Sequence, residues 1–165
     1  MDLKISAENQ KFKVRVAGMI IHNGKLLACR IMNNKFYCLP GGHCHLYETS
    51  QNAMLREMKE ETGIDVKIDE LSAFIENLFI SEKGEKFHEL CYIYRLTPKN
   101  LPDEKAKDWS VIELDDGINK NLDFKWIDLD KIKDCDIRPS AIKQIINKKG
   151  INHIQIINEH VEFLN

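Results

Sequence analysis

Gly42 to Ile64 reads GHCHLYETSQNAMLREMKEETGI, and this stretch predicts a helix from about Ser50 to Thr62. Thr49 precedes it as a suitable N-cap, because its hydroxyl can accept a hydrogen bond from an unpaired backbone N–H of the first turn. Gly63 follows it, at the position where many helices end on a left-handed residue. Capping residues therefore bound the helix at both ends.

One side of this helix carries three carboxylates. At 100° per residue, Glu57, Glu60 and Glu61 fall within an arc of about 100°. The neighbouring arc is suited to packing and contains Met54, Leu55, Met58 and Thr62. The helix is thus predicted to pack on one side and to be densely acidic on the adjacent side.

Repulsion among the three carboxylates would be relieved by a bound cation. Carboxylate ligands suit Mg²⁺, or Mn²⁺ in its place, and these ions share their coordination with substrate phosphates. Arg56 lies four residues before Glu60 and can hold that carboxylate, and Glu48 can fold back onto the same face. A charged helix face is also commonly only solvated, so EMKEETG alone leaves both interpretations open.

The complete stretch resembles the Nudix box, the pattern G-x5-E-x7-R-E-U-x-E-E-x-G-U, in which U is a bulky aliphatic residue. The chain matches it with Gly42, Glu48, Arg56, Glu57, Met58, Glu60, Glu61, Gly63 and Ile64. Outside the box, Leu39-Pro40-Gly41-Gly42 is similar to the strand end that leads into it in this family. Trp126-Ile127-Asp128-Leu129-Asp130 is similar to the segment before the family's closing helix.

The resemblance implies an α/β (α+β) fold, in which a mixed sheet is flanked by helices as an α/β/α sandwich. It also implies Mg²⁺-dependent attack of water on a phosphoanhydride. The implied metal ligands are the carbonyl of Gly41 and the carboxylates of Glu57, Glu60 and Glu61. Glu57 is alternatively the base that activates the water, and Arg56 would orient the acidic cluster.

Family members often supply one more carboxylate from outside the box. Glu89 is the candidate here, because it interrupts a mostly apolar strand and because Phe87-His88-Glu89 resembles a segment of a bacterial subgroup. The alternative is a strand glutamate that simply faces solvent. Glu82 and Glu85, in the adjoining turn, are weaker candidates.

The remaining sequence predicts strands and two further helical segments around the box. Asn23-Gly24 between apolar runs predicts a hairpin. The predicted strands are Lys11–Ile21, Leu26–Cys29, Phe36–Leu39, Ile68–Phe79, Phe87–Leu96, Leu122–Ile127 and an edge strand Ile151–Ile157. The sequence also predicts a helical turn at Leu129–Lys133, a helix at Ser140–Lys148 and a surface loop at 98–108. Neither linker nor repeat is evident, so residues 1–165 are interpreted as one domain.

Composition narrows the class of partner. The net charge of −2 provides no general basic field for a long nucleic acid, and no apolar run is long enough to span a membrane. No signal peptide is evident, so a cytoplasmic location is expected. A small nucleotide substrate suits the charge balance better than a long nucleic acid. The five cysteines are interpreted as free thiols, with a transition-metal site at His43-Cys44-His45 as the alternative.

The box predicts the reaction type and leaves the substrate open. Ile80 and Ser81 stand where the family's ADP-ribose and dinucleoside polyphosphate signatures would be, so neither signature is supported. Nucleoside triphosphates rank slightly above nucleotide sugars as the expected substrate. Two other functions are considered: a nucleotide-sensing module that does not cleave its ligand, and an isomerase acting on isopentenyl diphosphate. The complete set of box glutamates disfavours both. A bacterial source and a homodimer are also compatible with the sequence.

Overall fold

The structure is a computed structural model that describes residues 1–31, 34–115 and 118–164. Within them, nine strands form one sheet: β1 Lys4–Ala7, β2 Gln10–His22, β3 Lys25–Ile31, β4 Val66–Ile80, β5 Lys86–Pro98, β6 Trp109–Asp115, β7 Ile118–Asp128, β8 Asn152–Ile157 and β9 His160–Phe163. Helical segments are α1 Ser50–Glu57, a π-helical turn Met58–Thr62, a 3₁₀ turn Leu129–Asp134 and α2 Ile142–Ile145. No helix in the described ranges is long and apolar enough to cross a membrane.

The strand order is β6-β7-β3-β2-β5-β4-β8-β9, with β1 paired to β2 away from this path. The pairs β2–β5 and β4–β8 are parallel, and the other pairs are antiparallel. The mixed sheet predicted from the sequence is therefore confirmed.

The strands β2 and β3 separate soon after the turn that joins them. They pair only at Ile21–Leu26 and His22–Lys25, around a turn in which Asn23 and Gly24 both have positive φ. Such a turn matches the Asn-Gly signal, so the hairpin is confirmed. Beyond it, the two strands leave a wedge in the sheet.

Residues 38–44 fill this wedge. The amide of Val16 donates to the carbonyl of Gly42, and the amide of Cys44 donates to the carbonyl of Val14, both at 3.0 Å. On the other side, Cys38 pairs with Cys29 of β3. The start of the box is thereby fixed between two strands by backbone hydrogen bonds.

The sheet has a hydrophobic core on each face. Met54 and Met58 pack with Val16, Leu27 and Phe124 on one face. The other face is covered by α2 and contains Ala17, Met19, Leu26, Ile75, Ile93, Ile142 and Ile145. Helices therefore lie on both faces, as the predicted sandwich requires.

Several elements differ from the sequence prediction. Leu55 was expected to pack and is instead 40% exposed. It lies about 100° around the helix axis from Met54, away from the side on which Met54 and Met58 contact the sheet. The predicted strand at 36–39 is absent, because only Tyr37 and Cys38 pair there, each in an isolated bridge. The predicted helix at 140–148 is reduced to α2, and β8 is not an edge strand because β9 pairs outside it.

Candidate active site

A cavity of about 340 Å³ lies where β2 and β3 separate. The box forms one wall through Gly42, Arg56, Glu57, Glu60 and Glu61. Lys13, Arg15 and Lys120 contribute basic side chains from β2 and β7. The splayed strands thus bring acidic and basic groups to one concave surface.

The helix end that carries two of the glutamates is wider than an α-helix. Residues 58–62 form a π turn, which ends at Gly63 with φ 72° and a hydrogen bond from the Gly63 amide to the Lys59 carbonyl. The predicted end at Gly63 is confirmed, but the predicted regular α-helix is wrong over this turn. π turns are frequent at functional sites. Here the turn changes the directions in which Glu60 and Glu61 leave the helix.

Arg56 is the centre of the hydrogen-bond network on this wall. Its guanidinium binds Glu48 through Nε and NH2, both at 2.9 Å. NH1 donates to Glu57 at 2.8 Å and to Glu60 at 3.0 Å, and NH2 also donates to the His43 carbonyl. The pair with Arg56 holds the pKa of Glu48 at about 2, well below its ordinary range.

The three box glutamates occupy different environments. Glu57 is buried, whereas the Glu60 side chain is 57% exposed. Glu61 accepts a hydrogen bond from the Gly41 amide at 2.8 Å. Among the described residues, no three His, Cys, Asp or Glu side chains converge on one point in a metal-binding arrangement. The carboxylates share the cavity wall and are each held by hydrogen bonds.

Gly41 and Gly42 allow the backbone to approach this wall closely. Gly41 has φ 142°, and a Cβ there would collide with the backbone carbonyl of Val16. A Cβ on Gly42 would collide with the carboxylate of Glu57. Both positions therefore require glycine, the first for its conformation as well as for space.

The family profile described as NUDIX domain matches residues 12–146. The chain belongs to the Nudix family. A MutT-like protein of Streptomyces ambofaciens is 45% identical over 65 residues, which are 39% of this chain and 42% of that protein. An ADP-ribose pyrophosphatase of Methanocaldococcus jannaschii is 41% identical over 61 residues, 35% of this chain and 36% of that protein. Each alignment thus spans less than half of the curated relative.

Solved Nudix structures agree in fold. The MutT protein of Bacillus halodurans has a TM-score of 0.59 at 14% identity, over 93% of this chain and 95% of that one. A Nudix hydrolase of Nitrosomonas europaea has a TM-score of 0.54 at 22% identity, over 81% of this chain and 85% of that one. At these identities the likeness concerns the fold alone.

Glu89, expected as a carboxylate outside the Nudix box, lies beside Lys13 and Arg15 and does not line the cavity. It is buried with 6% exposure, so the alternative of a solvent-facing strand glutamate is wrong. Its carboxylate lies 2.9 Å from Lys13 Nζ and 3.8 Å from Arg15 NH1. Burial acts to raise the pKa of Glu89, but the charges of Arg15 and Lys13 outweigh it and lower that pKa.

Lys13 and Arg15 were missed as site residues in the sequence. Arg15 NH2 donates to the Gly41 carbonyl at 3.0 Å and so links β2 to the start of the Nudix box. The available signal was the alternation of Lys11, Lys13 and Arg15 with apolar residues, which places the basic groups on one strand face. Their connection with Glu89 follows from the parallel pairing of β2 with β5.

The stretch His43-Cys44-His45 does not form a joint metal site. Cys44 is buried in the core beneath α1, whereas His43 and His45 both face the carboxylate of Asp2, at 3.7 and 3.4 Å. Burial, followed by the charges of Arg15 and Lys13, lowers the pKa of His43 to about 4. None of the five cysteines is in a disulfide bond.

Proposed function

We propose that this Nudix chain is a Mg²⁺-dependent hydrolase that cleaves a phosphoanhydride bond in a nucleoside diphosphate linked to a further group. The observation that carries the proposal is that one cavity combines two kinds of charge. Carboxylates of the box and the cations of Lys13 and Arg15 line it together. Such a cavity can accept a polyphosphate together with divalent cations, whose positive charge the carboxylates balance.

The donor set suits a hard cation. Carboxylates of Glu57, Glu60 and Glu61 and the carbonyl of Gly41 supply oxygen ligands, and Gly42 leaves open the space in front of Glu57 that a side chain would fill. Mg²⁺, or Mn²⁺ in its place, would activate water and neutralise charge on the phosphate oxygens. Arg56 donates hydrogen bonds to Glu57 and Glu60 and so fixes the positions of both carboxylates at the cavity.

The chain's own residues divide the remaining work. Lys13 and Arg15 bind phosphate oxygens and stabilise the charge that develops on the leaving group. Glu57, the buried member of the three, has two proposed roles: a further metal ligand, or the base that accepts the proton of the attacking water. Glu89 is a positioning residue: it holds Arg15, which in turn holds the carbonyl of Gly41.

The substrate is proposed as a class, with nucleoside triphosphates and nucleotide sugars as the first candidates. Some relatives and structural neighbours are described as ADP-ribose pyrophosphatases, and one as a UDP-X diphosphatase. Compounds of both kinds therefore belong in the same screen. A cytoplasmic location and a homodimer complete the proposal, and gel filtration of the purified chain tests the latter.

The decisive experiment is a screen of nucleotide derivatives for hydrolysis with and without Mg²⁺. Glu60→Gln and Glu61→Gln are expected to lose at least a hundredfold in kcat while the fold is retained, because each removes a ligand charge. Glu70→Gln is the matched control, since Glu70 binds Arg95 on β5 away from the cavity. Unchanged turnover in both box variants would refute the metal site. Tight binding of a nucleotide with no turnover would instead indicate a sensing module.

A further inference from the structure

Two cysteines face each other on the cavity wall. Cys29 lies in β3, and Cys38 lies in the segment that fills the wedge. Each backbone amide donates to the carbonyl of the other residue at 2.8 Å. The two residues are therefore directly opposite each other, as a hydrogen-bonded antiparallel pair.

This arrangement satisfies the main geometric requirement for a disulfide. Cα atoms of such a pair are about 5.5 Å apart, inside the range of roughly 4.4–6.8 Å over which disulfides form. The Cys38 sulfur also lies on the partner's side, since it donates to the Cys29 carbonyl at 3.4 Å. The Cβ atoms of a hydrogen-bonded pair lie about 5.5 Å apart, whereas a disulfide needs roughly 3.5–4.5 Å, so the bond draws the two segments together by about 1 Å.

The environments of the cysteines differ in a way that favours reaction at Cys38. Cys38 is half-buried and lines the cavity, whereas Cys29 is 4% exposed. A hydrogen bond from the Cys29 side chain lowers the pKa of Cys38 to about 7, against an opposing effect of burial and with help from the charge of Arg15. Burial raises the pKa of Cys44 to about 11 and that of Cys91 to about 12. Of Cys38, Cys44 and Cys91, Cys38 is thus the thiol that ionises most readily near neutral pH.

We propose that Cys29 and Cys38 form a reversible disulfide that reports oxidation to the active site. With hydrogen peroxide, the Cys38 thiolate attacks one peroxide oxygen, the O–O bond breaks, and Cys38 becomes a sulfenic acid. The other oxygen leaves as hydroxide and takes up the proton that Cys38 released, which gives the first water. The Cys29 thiol then attacks the Cys38 sulfur and the S–S bond forms. The oxygen leaves as water with the Cys29 proton, so two thiols are oxidised and one peroxide is reduced to two waters.

The disulfide would act on the cavity through the chain that follows Cys38. Gly41 is three residues further on, and its amide and carbonyl bind Glu61 and Arg15. A covalent link to β3 fixes the start of this segment and removes the Cys38 thiolate from the neighbourhood of Arg15. Because the bond shifts this segment by about 1 Å, oxidation is expected to lower hydrolysis by up to about a hundredfold, and a thiol reductant is expected to restore it.

Thiol mapping tests the bond without relying on the proposed function. The reduced full-length chain is treated with hydrogen peroxide, the remaining thiols are alkylated, and tryptic peptides are analysed by mass spectrometry. The expected product joins the peptide 26–30 to the peptide 36–56 and is lighter than their sum by two hydrogen atoms. Fragmentation must assign the bond to Cys38, because Cys44 lies in the same peptide.

Cys38→Ser and Cys135→Ser are the test and its matched control. Both positions are half-buried thiols, but Cys135 follows the 3₁₀ turn and does not line the cavity. Peroxide should inactivate wild type and Cys135→Ser reversibly and leave Cys38→Ser active, each compared with its own reduced form. A missing Cys29–Cys38 link would overturn the proposal, as would a link that leaves turnover unchanged. This activity arm rests on the proposed hydrolysis, and the mapping does not.

Discussion

At the scale of single residues, Gly42 connects backbone geometry to the acidic cluster. Its φ lies outside the left-handed range, and the atoms nearest to an added Cβ belong to the carboxylate of Glu57. Gly42→Ala is therefore expected to displace Glu57 and to lower kcat/KM at least a hundredfold. The free energy of unfolding should change by about 1–2 kcal/mol, within the usual range for a single substitution. Steady-state kinetics and thermal melts measure the two effects.

Gly84→Ala is the control for this prediction. Gly84 lies in the turn between β4 and β5, where a Cβ meets no atom within 4 Å but φ is 79°. That variant should be destabilised by about 1 kcal/mol through backbone strain alone and should keep its activity. If Gly42→Ala retains kcat/KM within a few-fold of wild type, the close approach to Glu57 is not required for turnover.

The ion pair of Glu48 with Arg56 predicts a dependence of stability on pH. Because the pKa of Glu48 is about 2 in the fold and 4.5 ordinarily, its contribution is present above pH 4.5 and is lost as the pH falls toward 2. Glu48→Gln should lower the free energy of unfolding by about 2 kcal/mol at pH 7, since both side chains are only partly exposed. This deficit should shrink progressively below pH 4.5.

Urea unfolding between pH 7 and pH 2.5 measures this difference. Glu104→Gln, at an exposed loop position, is the matched control and should follow wild type throughout. A deficit of Glu48→Gln that stays constant down to pH 2.5 would show that its origin is packing and not the charge on the carboxylate.

At the scale of elements, the π turn 58–62 is held by the side chain at its end. The Thr62 hydroxyl donates to the Met58 carbonyl and accepts from the Ile64 amide at 3.1 Å, and all three residues are buried. Thr62→Val leaves that amide unpaired and should cost about 1–3 kcal/mol in stability. Turnover should also fall, because Glu60 and Glu61 lie on the same turn.

Thr97→Val is the comparison for this element. The Thr97 hydroxyl donates to Asp69, but the pair is exposed on the sheet, so its loss should change stability by less than about 1 kcal/mol and leave activity unaltered. Equal effects of the two substitutions on unfolding and on kcat would contradict a special role for the π turn.

Some element boundaries are determined by the local sequence, whereas other elements depend on strand pairing. Thr49, Gly63 and the Asn23-Gly24 turn act through neighbouring backbone groups, and the boundaries predicted from them hold. The strands β1 and β9, of four residues each, and β6, of seven, were not predicted, because each is stabilised by the strand beside it. Nothing in the spacing of the box distinguishes a π turn from an α turn.

Long-range pairing also explains what was missed in the site. Arg15 and Glu89 are on separate strands and meet only because β2 and β5 run parallel in a particular register. A single sequence gives each residue's strand but not that register. The box glutamates were found because their relation is local to one helix.

At the scale of the whole molecule, the strands of one sheet contribute residues to both hydrophobic cores. Adjacent residues such as Val16 and Ala17, or Leu27 and Leu26, point into opposite cores from the same strand. Loss of either core would therefore remove support from strands that the other core needs. We expect one cooperative unfolding transition for the chain, consistent with the interpretation of residues 1–165 as one domain.

Coincidence of two probes tests this cooperativity. Trp109 and Trp126 belong to the core beneath α1, so tryptophan fluorescence reports that side, whereas far-ultraviolet circular dichroism reports the whole sheet. Their midpoints should agree, and Trp109→Phe, which leaves one tryptophan, should still give coincident curves. Fluorescence that changes about 5 °C or more below the dichroism would mean that the α1 side unfolds first. In that case the box would be lost while the α2 side of the sheet persisted, and heat inactivation would precede global unfolding.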